Sequence, residues 1–131
     1  MEVLDLHCNK FTSLPPEISQ LENLEWLDLS QNNFTFFPKE IFSLSQLEFL
    51  DLSENKIKEI PKKISCLKHL DTLSLDRNQL TTLPPEIVKL PKLKMLTASG
   101  NKIMFLPVEL STIPNLNLDI SFNPISSTHH I

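Results

Sequence analysis

The sequence predicts an α/β solenoid: a parallel sheet of short strands, one per repeat, with short helical or 3-10 turns on the return path. Three observations lead there. Asparagine recurs every 23 residues, at Asn9, Asn32, Asn55, Asn78 and Asn101. The pattern Leu24-Glu-Trp-Leu27-Asp-Leu29 returns at the same interval, as Leu47, Leu50 and Leu52 and then as Leu70, Leu73 and Leu75. A proline column (Pro15, Pro38, Pro61, Pro84, Pro107) keeps step with both. Self-similarity at a fixed period of this size marks a chain of stacked supersecondary units.

Each element follows from its residues. Leu-x-Leu alternates with period two, so each unit holds a short strand with its leucines on one side. One unit cannot bury that face alone, but parallel stacking buries it against the neighbours. The asparagines suit an interior turn, where each amide can bond backbone groups of the adjacent coil. The prolines fix φ where the chain enters the return segment, and Pro16 and Pro85 fit the first position of a short helical turn. Ile18 and Leu21, three residues apart, should share the inner face of that turn. The units run over 1–23, 24–46, 47–69, 70–92 and 93–114, with a partial unit at 115–126 and a tail at 127–131, all in a single domain.

Composition narrows the function. The 131 residues carry a formal net charge of −4, which does not suit phosphate backbones or anionic lipid. No stretch approaches the roughly 20 apolar residues of a membrane span, and the N-terminal MEVLDLHCNK is not built like a signal peptide. Two cysteines, Cys8 and Cys66, are too few for a disulfide framework and fall two coils apart. These features indicate a cytoplasmic, reducing location. A lone glycine, Gly100, excludes Gly-rich phosphate loops. Cys66-x-x-His69 has half the spacing of a zinc site and no second pair, so no metal and no cofactor are expected. Asn33-Phe34-Thr35 matches a glycosylation acceptor that is idle inside the cell. His129-His130 reads as a loose end.

Five consecutive units fit LxxLxLxxNxLxxLPxxIxxLxx, as in "FTSLPPEISQL" and "LTTLPPEIVKL". The chain thereby resembles the leucine-rich repeat family over nearly its whole length. The LPxxIxxL half is similar to the intracellular subgroup that includes the Ras suppressor, Erbin and Scribble proteins. The resemblance implies a curved horseshoe with the strands on the concave face, and a binding scaffold rather than an enzyme. It also implies signalling or polarity partners such as small GTPases or phosphatase subunits.

The pattern breaks at the end. Asn123 follows Asn101 by 22 residues, so one residue is missing before the strand that holds Leu118 and Ile120. Either a shortened terminal coil or a sequence deletion accounts for it. Met1 already stands in the leucine slot, and neither end has the polar outer face of a cap. An internal segment or short isoform of a longer array is expected.

With the first leucine of each unit as the origin, the third, fifth and seventh residues point out of the concave sheet. The outward and flanking positions hold Glu2, Asp5, Glu25, Asp28, Glu48, Asp51, Glu54, Asp71, Asp76 and Asp119 against Arg77 and Lys94, a net −8 that leaves +4 elsewhere. Such a groove favours a basic partner and speeds its encounter. Asp5, Asp28 and Asp51 should stack in adjacent strands and repel one another, unless they are simply solvated. Trp26 and Phe49 share one outward column, either covering each other or anchoring a partner. The expected binding residues are Trp26, Asp28, Phe49, Asp51, Asp5, Glu25, Glu48, Asp76 and Arg77. Lys56, Lys58, Lys62, Lys63 and Lys68 fall on the return side, as a solvated face or a contact for an acidic partner. Phe36, Phe42 and Phe105 stand at usually polar positions, where they extend the core or mark a lateral contact.

The leading function is a non-enzymatic scaffold that binds a basic protein surface through an acidic, partly aromatic concave face. A second reading makes the repeats the recruiting part of a larger kinase or ubiquitin ligase. A third is an extracellular recognition domain.

Overall fold

The computed structural model describes residues 1–126. Six parallel strands pair in chain order: β1 (Glu2–Asp5), β2 (Leu24–Asp28), β3 (Phe49–Asp51), β4 (Thr72–Ser74), β5 (Met95–Thr97) and β6 (Asn117–Asp119). A 3-10 helix lies between each pair: η1 (Pro16–Gln20), η2 (Lys39–Ser43), η3 (Lys62–Cys66), η4 (Pro85–Lys89) and η5 (Val108–Thr112). The solenoid is therefore α/β in plan, with 3-10 turns on the convex side.

Stacking follows the leucine register. Leu27 faces Leu50, Leu50 faces Leu73 and Leu73 faces Leu96, and all four are sealed from solvent. Leu29, Leu52 and Leu75 continue the same inner column, fully buried. Each fully buried leucine stabilises by about 2 kcal/mol relative to exposure.

The asparagines join one coil to the next. Asn55 Nδ2 donates to Leu29 O of the preceding coil at 3.0 Å and to Leu52 O of its own at 3.1 Å. Its Oδ1 accepts from Phe34 N–H at 3.0 Å. Asn32, Asn78 and Asn101 repeat this pattern and are buried with it. The prolines begin each helical turn at φ between −60° and −70°. The carbonyl of each accepts the first helical bond, as Pro15 does from Ile18 N–H.

One backbone feature was not foreseen. Cys8, Gln31, Glu54, Arg77, Gly100 and Phe122 all have φ between 55° and 67°. They hold the same place in successive coils, at the exit from the strand. There the left-handed turn swings the chain away while its N–H still extends the sheet ladder, as from Gln31 to Ser53 O and from Glu54 to Asp76 O.

Leu21, expected on the inner face with Ile18, is left 37% exposed because η1 has a neighbouring helix on one side only. Its equivalents Leu44 and Leu67, covered on both sides, are buried. Met1 does not fill the first leucine slot; Glu2 pairs with Leu24 through a register irregularity, and Met1 is exposed. Ser30, assigned to the outward columns, is buried because Asp28 folds over it. The missing residue before Leu118 is taken up between η5 and β6, where Asn115 turns with φ 61° and Asn117 regains register with Met95. Asparagine is among the residue types that tolerate this conformation. His129-His130 lies outside the described residues.

Candidate binding surface

The concave sheet brings together the residues expected there. Trp26 on β2 and Phe49 on β3 occupy paired positions and stack with centroids 4.6 Å apart and planes 3° apart. Both are half-buried, so one covers the other while the outer edges stay open to solvent. Such a pair adds about 1 kcal/mol beyond its buried area.

Asp5, Asp28 and Asp51 align as paired positions across β1, β2 and β3. Their carboxylates are not a bare row. Asp28 Oδ1 accepts from Ser30 N–H at 2.9 Å and Ser30 Oγ at 2.6 Å, and Asp51 Oδ1 accepts from Ser53 N–H at 2.9 Å. Asp119 does the same for Ser121. The Ser121 N–H first, and then its hydroxyl, hold the Asp119 carboxyl below the ordinary range. The expectation that the row waits for an outside cation is corrected in part, since one oxygen of each already braces the strand exit. The other oxygen of each has no protein partner. The signal was in the sequence, as Asp-x-Ser in each LDLS unit.

Asp76 acts differently. Its Oδ1 accepts from Ser99 N–H of the next coil at 2.8 Å, where Thr97 stands in place of the usual aspartate. Glu25 and Glu48 flank the aromatic stack, half-buried, with no side-chain hydrogen bond. Arg77 is exposed at the left-handed exit turn. Among the described residues, no lysine or arginine lies within 4.0 Å of a carboxylate, so the concave face is not neutralised from within.

His7 was not among the expected residues. Its Nδ1 bonds Asp5 Oδ1, which raises the imidazole's pKa above the ordinary 6.5, helped by the charges of Asp5, Asp28 and Asp51. The same hydrogen bond lowers the Asp5 carboxyl. Ligand atoms of Asp5, His7 and Asp28 lie within 4.8 Å of one another, and a hydrogen bond already joins His7 Nδ1 to Asp5 Oδ1. Cys66 and His69 both reach to the second coil: Cys66 Sγ to Phe42 O at 3.7 Å and His69 Nδ1 to Ser45 O at 3.0 Å. Their spacing serves coil stacking. No helix of the described residues is long and apolar enough to cross a membrane.

Two family profiles match the chain: "Leucine rich repeat" over residues 1–57 and "Leucine-rich repeat region" over residues 39–128. A comparison with curated protein sequences finds no match. Among solved structures, the chain is similar to the plant peptide hormone receptor RGFR1 in complex with RGF2, at 36% identity and TM-score 0.81, covering 93% of this chain and 21% of that one. It is also similar to the ectodomain of the receptor kinase SOBIR1 from Arabidopsis thaliana, at 31% identity and TM-score 0.78, covering 93% and 70%. A Leptospira interrogans leucine-rich repeat protein matches at 31% identity and TM-score 0.69, covering 98% of this chain and 45% of its own.

Proposed function

Because this chain belongs to the leucine-rich repeat family, we propose that it is a non-enzymatic protein-interaction scaffold that seats a basic partner surface on its concave sheet. One observation carries the reading. The stacked Trp26–Phe49 pair stands beside the aligned Asp5–Asp28–Asp51 row, with no lysine or arginine of the described residues within 4.0 Å of any carboxylate. Trp26 offers its open outer edge to the aliphatic stem of an arginine or lysine, and Glu25, Glu48 and the free aspartate oxygens take the charge. Asp76 and Arg77 extend the surface toward the fourth coil. Small GTPases and phosphatase subunits are the proposed partner classes, through the similarity of the LPxxIxxL half to the Ras-suppressor subgroup. Cys8 and Cys66 are free thiols, which supports a reducing, cytoplasmic setting. A glycan found on Asn33 in cells would refute that location.

A second reading has its own support. The chain spans 21% of the receptor it resembles at 36% identity, and 45% of the Leptospira protein. The repeats then serve as the recognition segment of a larger molecule, a receptor or an enzyme.

The test compares partners captured by wild type and by Glu25→Lys/Glu48→Lys. These glutamates carry no side-chain hydrogen bond, unlike Asp28 and Asp51, so the fold is left intact. The charge-reversed chain should lose partners that wild type retains, and identical sets would refute the concave site.

A further inference from the structure

The repeat provides its own control for spotting unusual side chains. In the column of Phe42 the other coils carry Ser19, Ser65, Val88 and Ser111. Lys63 stands in a column otherwise filled by Glu17, Glu40, Glu86 and Glu109. Phe36 stands where other coils have Ser13, Glu59, Thr82 and Phe105. These departures do not scatter over the surface. They meet between the second and third coils on the convex side.

Two hollows lie there, sharing Pro61. One, of about 500 Å³, is lined by Pro16, Phe42 and Pro61 with Lys39 and Lys63 at its walls. The other, of about 470 Å³, is lined by Phe36, Phe37 and Pro61 with Lys58 beside them. Phe42 stacks on Phe37 with centroids 5.0 Å apart, so the two hollows have a common aromatic wall. Phe36 is 82% exposed, an apolar surface that folding does not use. Lys63 Nζ sits 5.6 Å over the Phe42 ring, with no carboxylate within 4.0 Å.

We propose that this groove binds a short acidic protein segment, with one aliphatic or aromatic side chain seated against Phe42 and Pro61 and carboxylates drawn to Lys39, Lys58 and Lys63. The charge is complementary: the concave face carries the chain's acidic excess, and the rest of the chain is net basic. The apolar floor supplies what lysines alone lack, a place for one anchor. A protein segment is favoured over an anionic membrane because Glu40 and Glu59 stand in the walls of the two hollows. They would repel a continuous negative surface, whereas a peptide can place its charges around them. The groove lies on the opposite side of the molecule from the concave sheet, so the proposal does not depend on that reading.

The test is fluorescence anisotropy with a labelled peptide of glutamates around a central Leu-Leu pair, titrated with the whole chain. Phe42→Ser and Lys63→Glu install residues that the same columns carry elsewhere, so the fold tolerates them; circular dichroism checks this. Each should weaken binding by about tenfold. Replacing the two leucines by serines should do the same, while Glu25→Lys/Glu48→Lys should leave the affinity unchanged. The proposal is overturned if the peptide fails to bind at millimolar concentration, or if Phe42→Ser and Lys63→Glu bind as wild type does. It is equally overturned if phosphatidylserine vesicles bind the chain and the peptide does not compete.

Discussion

Asn55 carries out two tasks with one amide: it satisfies carbonyls of two coils and an N–H of the coil before it. Asn55→Ala leaves those buried groups unpaired and should destabilise the chain by about 3 kcal/mol. Asn9 is exposed and bonds only within its own turn. Asn9→Ala should cost less than about 1 kcal/mol. Chemical denaturation of the two variants checks the ratio. His7 gives a second test at this scale. Its pKa is raised by Asp5, so the pair stabilises the fold below pH 6.5 and loses that contribution as pH rises through the raised value. Asp5 is shifted the other way, so its share is present above pH 3.8 and lost as pH falls below it. NMR titration should place His7 above 6.5, and Asp5→Asn should bring it back toward that value. Both residues are exposed, so added salt should shrink the shift.

At the scale of the element, each of the first five coils is one strand, one left-handed exit and one 3-10 turn. The strand, the asparagine and the proline were legible because residue identity enforces them: only leucine-like side chains fill the column, only an amide serves both donor and acceptor needs, and proline fixes φ. The left-handed exit was not legible. Its column reads Cys8, Gln31, Glu54, Arg77, Gly100 and Phe122, and only one member is the expected glycine. The turn at the strand exit demands the conformation of side chains that would not choose it, at about 1 kcal/mol each, and in the first five coils the exit N–H also bonds the next coil. Gly100→Ala adds that cost and brings a Cβ to 3.1 Å from Arg77 Cγ, so a loss of about 1 kcal/mol is expected. Glu54→Gly should instead gain about 0.5 kcal/mol, since relief of strain outweighs added chain entropy. Thermal melts of the two variants should move in opposite directions. The Asp-x-Ser braces were visible as letters but read as an outward column. Period-two facing says where a carboxylate points, not that it curls back on the next turn.

Across the whole molecule, charge is divided by face. Carboxylates collect on the concave sheet and lysines on the return side, and no lysine or arginine of the described residues comes within 4.0 Å of a carboxylate. A fold held by leucine columns and asparagine ladders does not need ion pairs, which leaves both faces available to partners. The placement of Trp26 beside Phe49 was legible, because equal positions in consecutive coils must be neighbours. Their close parallel stack was not, because it depends on ring rotamers. Trp26→Ala removes the stack but no core contact of the leucine column. It should lower the melting temperature by only a few degrees. Binding should suffer far more, by about a hundredfold for a central aromatic anchor.

The most direct measurement is quantitative capture of partners by wild type, Trp26→Ala and Glu25→Lys/Glu48→Lys, with folding of each verified by circular dichroism. A concave site predicts that both folded variants lose the same partners and that these partners leave wild type as salt is raised. Folded variants that retain every partner, with no dependence on salt, would contradict it.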